Sequence, residues 1–123
     1  MAKLILIVDD SASMRRVVGI SLRSSGYDVI EGCDGKDALS KLTGQKVHLI
    51  ISDVNMPVMD GITVLKKLRE DEWGKDAKVV LLTNLSDNEK IAEAIMHGTY
   101  DYLVKSDWKI KDVVAKVRER LEG

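Results

Sequence analysis

Short apolar runs of strand length alternate along the chain with amphipathic stretches of helical period, and this alternation restricts the fold more than any other feature. Three runs are almost wholly apolar, as in strands that are buried on both faces: Lys3–Val8, Val47–Ser52 and Ala77–Leu82. Two shorter and more polar runs, Tyr27–Glu31 and Tyr100–Val104, are typical of strands nearer the edges of a sheet. The sequence therefore predicts five strands, each followed by a helix.

Alternating strands and helices favour parallel strands that are joined by right-handed crossovers, with helices on both faces of the sheet. We therefore expect one α/β domain over residues 1–123, with a doubly wound, five-stranded parallel sheet. The most apolar strands, the first, third and fourth, belong in the interior of that sheet. The strand order 2-1-3-4-5 fits this distribution.

Capping residues predict the ends of the first helix. Ser11 and Ser13 are good N-caps, and Gly26 is suited to end the helix. The residues expected to face the core share a helical spacing: Met14, Val17, Val18 and Leu22.

Composition excludes several classes of protein. The chain has 19 basic and 20 acidic residues, so its net charge of −1 indicates neither a nucleic-acid nor a membrane partner. No signal-peptide pattern and no apolar stretch of membrane-spanning length is present. A single cysteine, Cys33, excludes an internal disulfide and suits a reducing compartment, so we expect a cytoplasmic protein.

Acidic residues follow two of the predicted inner strands. Asp9 and Asp10 come after the first strand, and Asp53 comes after the third. Each could simply cap the following helix. Strands one and three are neighbours in the proposed order, however, and ligands of open α/β sheets bind beyond the carboxyl ends of the strands. Three converging carboxylates repel one another unless a cation is present, so the pattern favours a Mg²⁺ site.

Thr83 and Lys105 end the fourth and fifth strands at the same predicted edge. Taken alone, Lys105 could be an ordinary surface lysine. Beside a metal–carboxylate cluster, an ammonium and a hydroxyl complete a pocket for a phosphoryl group. A carboxylate such as Asp53 can accept that group covalently.

Four motifs with this chemistry stand in order along the chain: V-D-D-S-A-S-M-R-R, I-S-D-V-N-M-P-V-M-D-G, L-L-T-N and Y-L-V-K. With them, the chain resembles the receiver domain of a two-component response regulator over essentially all 123 residues, most of all the stand-alone chemotaxis-type regulators. That family has a flavodoxin-like fold. Its chemotaxis members are standard examples of the strand order 2-1-3-4-5, so the resemblance and the proposed order are not independent.

The resemblance implies a role for each site residue. Asp53 resembles the phosphoacceptor. Asp10, Asp53 and the main-chain carbonyl of Asn55 resemble the direct Mg²⁺ ligands, and Asp9 resembles the acid that acts largely through water.

Three further residues resemble the parts that respond to phosphorylation. Thr83 and Lys105 resemble the residues that contact the phosphoryl oxygens. Tyr102 resembles the switch aromatic that turns inward in a two-state equilibrium. Without the resemblance, Tyr102 would be interpreted as an amphipathic side chain near a strand end.

The chain departs from the family pattern in three ways. Ser106 replaces the usual proline after Lys105, and Asn84 replaces the usual small residue after Thr83. Residues 1–65 resemble chemotaxis regulators, whereas Val80–Val104 resembles receivers that are attached to transcriptional regulators. A recombined or engineered chain would account for this difference.

The implied function is a phosphorylation-activated switch in a two-component phosphorelay, and not an enzyme beyond its own phosphorylation and dephosphorylation. A histidine kinase or phosphotransfer domain would supply the phosphoryl group. A downstream protein would bind the face of the fourth helix, fifth strand and fifth helix, roughly Asp87–Leu121, without direct contact to nucleic acid or membrane. The last helix has one basic side: Lys109, Lys111, Lys116, Arg118 and Arg120.

Two other functions fit the same residues. A Mg²⁺-dependent phosphohydrolase with an aspartyl nucleophile is one, although such hydrolases commonly carry D-x-D where this chain has Asp9, Asp10 and Ser11. A receiver-fold scaffold that works without phosphorylation is the other, and it is favoured if Asn84 and Ser106 disrupt the pocket.

Overall fold

The computed structural model describes residues 3–42, 47–53, 61–70, 77–83, 101–104 and 109–122, without the side chains of residues 42, 61, 62, 83 and 101–104. Within these residues, five strands form one parallel sheet: β1 (Leu4–Val8), β2 (Asp28–Gly32), β3 (Leu49–Asp53), β4 (Lys78–Thr83) and β5 (Asp101–Val104). The strand order is β2-β1-β3-β4-β5. The predicted flavodoxin-like α/β fold is confirmed.

The described helices are α1 (Ala12–Ser24), α2 (Gly35–Leu42), α3 (Gly61–Glu70) and the C-terminal helix (Ile110–Glu122). The helix predicted to follow the fourth strand lies outside the described residues. None of the helices in the described ranges combines the length and apolarity needed to cross a bilayer.

Both faces of the sheet are covered, because successive side chains of a strand point to opposite faces. Ile5 and Ile7 of β1 pack with side chains of α1 and the C-terminal helix, including Val18 and Val117. Leu6 and Val8 of β1 pack in a second cluster with side chains of α2 and α3, including Ala38, Leu65 and Leu68, and the partly buried Leu4 packs against it. Each fully buried Val, Leu or Ile side chain stabilises the fold by about 1.5–3 kcal/mol.

Of the two predicted N-caps of α1, the structure has Ser11, and Ser13 lies in the first turn of the helix. The Ser11 hydroxyl accepts a hydrogen bond of 3.3 Å from the main-chain N–H of Met14, and Ser11 is the N-cap. Gly26, just beyond the end of the helix, has a φ of 96°, a left-handed conformation that favours glycine.

The prediction that Val17 faces the core is wrong, because its side chain is 46% exposed. Each residue of an α-helix is turned about 100° from its neighbour. Val18 and Leu22 lie on the side of α1 that is buried against the sheet, so Val17 is turned away from it.

Candidate functional site

The register of the sheet places the acidic residues side by side. Val8 lies opposite Ser52, so the residues that follow them, Asp9 and Asp53, extend from neighbouring strands at one level. One carboxylate oxygen from each of Asp9, Asp10 and Asp53 lies within 4.8 Å of the others. Asp9 and Asp53 are each only 2% exposed, whereas Asp10 is exposed. The predicted convergence of these three residues is present in the structure.

Main-chain hydrogen bonds hold Asp9 in place. Its N–H donates to the carbonyl of Gly32 at 3.2 Å, which ties Asp9 to the end of β2. Its carbonyl accepts a hydrogen bond of 2.5 Å from Nη1 of Arg15. Its side chain is also oriented, because Oδ1 accepts a hydrogen bond of 2.9 Å from the N–H of Ser11. The turn between β1 and α1 therefore has a defined conformation.

The start of α1 lies immediately beyond this turn. Ser11 caps the helix, and its own N–H binds the Asp9 carboxylate. Because the first turn of a helix favours negative charge, this location partly offsets the repulsion among the carboxylates.

Asp53 is the last residue of β3 and lies opposite Leu82 of β4. Ser52, which is 1% exposed, donates a hydrogen bond of 3.2 Å from its hydroxyl to the carbonyl of Asp53. Thr83 follows Leu82 and ends β4, so its backbone lies at the same edge of the sheet as Asp53.

The three carboxylates fit a divalent cation with oxygen ligands. Mg²⁺ binds oxygens at about 2.0–2.1 Å, so two ligands on opposite sides of one ion are roughly 4.2 Å apart. Carboxylate oxygens that lie within 4.8 Å of one another are close to this separation, so these three residues are placed to hold such an ion. The donor set suits Mg²⁺, which commonly keeps several waters.

The other predicted site residues are described only in part. Asn55 and Lys105 lie outside the described residues. The backbones of Thr83 and Tyr102 are described, and Tyr102 of β5 lies opposite Leu81 of β4. Their side chains are not described.

Sequence reasoning missed Arg15 and Glu31. The Arg15 guanidinium contacts the carbonyl of Asp9 and also lies 3.5 Å from a Glu31 carboxylate oxygen. The acceptor at Asp9 is a main-chain carbonyl, which carries no signal in the sequence. Only the folded arrangement of α1 against β2 reveals the contact.

A family model for the response regulator receiver domain matches residues 5–118. The chain belongs to this family. Receiver domains are the signalling switches of two-component systems. They generally bind Mg²⁺ at an acidic pocket, and they interact with histidine kinases and downstream effectors.

Two relatives show which proteins the chain is similar to. The chain is 39% identical over 120 residues to the chemotaxis protein CheY-3 of Vibrio cholerae. This alignment covers 95% of this chain and 92% of CheY-3. The chain is also 37% identical over 117 residues to ycf27, a probable transcriptional regulator of Porphyridium aerugineum. This second alignment covers 95% of this chain. This receiver domain spans only 47% of the length of that regulator.

The fold also agrees with solved receiver structures. The chemotaxis protein CheY4 of Vibrio cholerae superposes with a TM-score of 0.90 at 34% identity, and the match covers 98% of this chain and 100% of CheY4. The relatives therefore include both chemotaxis proteins and a probable transcriptional regulator.

Proposed function

We propose that this receiver domain is switched by phosphorylation of Asp53 in a Mg²⁺-dependent reaction. Asp10, Asp53 and the main-chain carbonyl of Asn55 are the proposed direct ligands, and Asp9 is the proposed ligand through water. The convergence of three carboxylates within 4.8 Å at one edge of the sheet is the observation that supports this proposal most strongly.

The location of Asp53 suits a nucleophile. A bound Mg²⁺ ion would supply positive charge that offsets the negative charge of the carboxylates and of an incoming phosphoryl group. Asp53 ends a strand that is buried along its whole length, so its backbone is held firmly. A carboxylate oxygen of Asp53 attacks phosphorus, and a new O–P bond forms. The bond from phosphorus to the donor atom breaks, and the donor leaves with the electron pair.

Thr83 and Lys105 are the proposed contacts for the phosphoryl oxygens, and Tyr102 is the proposed switch residue. The register supports the place of Thr83, because its backbone follows the residue opposite Asp53. In this proposal, the new negative charge on Asp53 attracts Thr83 and Lys105. The resulting movement of these two residues favours a second conformation of Tyr102.

The proposed donor is a histidine kinase or a phosphotransfer domain, and the proposed reader is a protein that binds the face formed by roughly Asp87–Leu121. The basic residues of the C-terminal helix suit an acidic partner.

Intact-mass measurement after incubation with acetyl phosphate tests this proposal. With Mg²⁺ we expect the mass of one added phosphoryl group, and with a chelator we expect none. Asp53→Asn removes the nucleophile and should remain unmodified. Asp28→Asn is a matched control, because Asp28 is exposed at the opposite end of the sheet, and this variant should be modified like the wild type. Modification of Asp53→Asn at the wild-type level would overturn the proposal.

A further inference from the structure

We infer that Arg15 is a positioning residue for the acidic cluster, and that its contact with the Asp9 carbonyl strengthens Mg²⁺ binding. This inference rests on the proposed metal site. Arg15 lies in the first turn of α1, and its side chain is 16% exposed, unlike the exposed side chain of its neighbour Arg16.

The guanidinium of Arg15 connects two parts of the fold. Nη1 donates to the Asp9 carbonyl at 2.5 Å, and Nε lies 3.5 Å from Oε1 of Glu31 on β2. A planar guanidinium that contacts two oxygens has little freedom to rotate. Arg15 therefore holds the turn after β1 against the neighbouring strand.

The carbonyl that Arg15 contacts belongs to the peptide bond between Asp9 and Asp10. A peptide group is planar, so fixing its oxygen also fixes the N–H and Cα of Asp10. The other side of Asp9 is held by the hydrogen bond from its N–H to Gly32. With both adjoining peptides fixed, the directions of the Asp9 and Asp10 carboxylates are restricted before any ion binds.

Glu31 is itself held in place, so it can anchor Arg15. Its Oε2 lies 3.7 Å from Nη2 of Arg23, and that nitrogen also donates to the carbonyl of Val29 at 3.2 Å. The ammonium of Lys41 donates to the main-chain carbonyl of Glu31. Since the Glu31 side chain is 34% exposed, its ion pairs contribute little energy, and their effect is chiefly geometric.

Replacing Arg15 should change the affinity for Mg²⁺ in opposite directions, depending on whether Arg15 positions the ligands or acts only through its charge. A guanidinium near a cation site repels the cation, so by charge alone its loss would tighten Mg²⁺ binding. If Arg15 fixes the ligand geometry, its loss weakens Mg²⁺ binding instead. Residues that orient metal ligands typically change metal affinity by about 10–100-fold when they are replaced.

The experiment is a titration of the purified domain with Mg²⁺ alone, followed by the amide resonances in NMR spectra. Arg15→Met keeps the length of the side chain and removes its charge and donors, and we expect about 10-fold weaker binding. Arg16→Met removes the same charge from an exposed neighbour, and its dissociation constant should stay within about twofold of the wild type. Unchanged or tighter binding by Arg15→Met would overturn the inference.

A second variant keeps the test valid if Arg15→Met does not fold. Arg15→Lys retains the charge but loses the forked donor geometry, so it should bind Mg²⁺ more weakly than the wild type and more tightly than any folded Arg15→Met. Wild-type affinity in Arg15→Lys would contradict the positioning role. Failure of the wild type itself to bind Mg²⁺ would instead contradict the proposed function, so the two failures are distinguishable.

Discussion

Val8 lies opposite Ser52 across β1 and β3, and this pairing sets Asp9 and Asp53 at the same level of the sheet. A shift of one residue in the register would turn the side chains of one strand to the other face. Apart from the partly buried Leu4, the apolar residues of both strands are almost completely buried, so such a shift would disrupt the packing on both faces of the sheet. The packing of the core therefore fixes the geometry of the acidic cluster.

Replacing Asp10 by Asn should stabilise the domain in the absence of Mg²⁺. The three carboxylates repel one another, and Asp10→Asn removes one of the charges from the cluster. Because Asp10 is exposed, we expect a gain of about 0.5–1 kcal/mol in the free energy of unfolding, measured in urea.

Added Mg²⁺ should make the wild type more stable than Asp10→Asn, which reverses the order expected without Mg²⁺. Ligand binding stabilises the folded state by mass action, so the wild type should gain more stability from Mg²⁺ than Asp10→Asn does. Asp28→Asn is the control, and it should gain as much as the wild type. Equal gains for the wild type and Asp10→Asn would contradict a role for Asp10 in binding the ion.

Two glycine substitutions should have opposite effects on stability. A Cβ at Gly32 would lie 3.0 Å from Cα of Ala38, so α2 would have to move away from β2, and Gly32→Ala should cost about 1–3 kcal/mol. A Cβ at Gly19 would meet its nearest atom, the flexible end of Arg23, at 3.4 Å. Gly19 lies inside α1, so Gly19→Ala should stabilise the domain by about 0.5–1 kcal/mol. Urea unfolding of both variants measures this contrast, and loss of stability in both would contradict it.

The hydroxyl of Tyr27 donates a hydrogen bond of 2.7 Å to Glu122, which joins the residue just before β2 to the end of the C-terminal helix. Burial, and then the hydrogen bond and negative charge of Glu122, raise the pKa of Tyr27 above its usual value. The folded state therefore favours the neutral phenol. Its contribution to stability is complete below the unfolded pKa of about 10 and is lost as the pH rises through the higher folded pKa.

Tyr27→Phe should therefore be less stable than the wild type by about 1 kcal/mol at neutral pH. The difference should shrink above about pH 10, because only the wild type loses the contribution of Tyr27. Urea unfolding at several pH values measures this, and the other tyrosines cancel because both proteins contain them. A difference that does not change with pH would show that the raised pKa has no effect on stability.

The sequence predicted the parts of this molecule that depend on periodicity and on the direction of the strands. Apolar runs identified the interior strands, and the acids that follow them had to meet once the strands were parallel and adjacent. The meeting of Asp9, Asp10 and Asp53 therefore required no knowledge of side-chain packing. The roles assigned to Asp53, Thr83 and Lys105 stay predictions.

Details that depend on the rotation of a helix or on main-chain acceptors were not predictable. Val17 and Val18 both have the spacing of core residues, yet α1 is rotated so that, of the two, only Val18 is buried. The bridge from Arg15 to the carbonyl of Asp9 links a side chain to a main-chain atom, and its anchor, Glu31, comes from another strand. The sequence pattern indicates neither the rotation of a helix nor a contact between a side chain and a main-chain carbonyl.

Chemical trapping of the phosphorylated residue tests the central claim most directly. Borohydride reduces an aspartyl phosphate to homoserine, so peptide sequencing after treatment with acetyl phosphate and Mg²⁺ locates the modified residue. We predict homoserine at position 53 alone, and none when Mg²⁺ is removed by a chelator. Homoserine at position 9 or 10, or equal trapping at position 53 without Mg²⁺, would contradict the account.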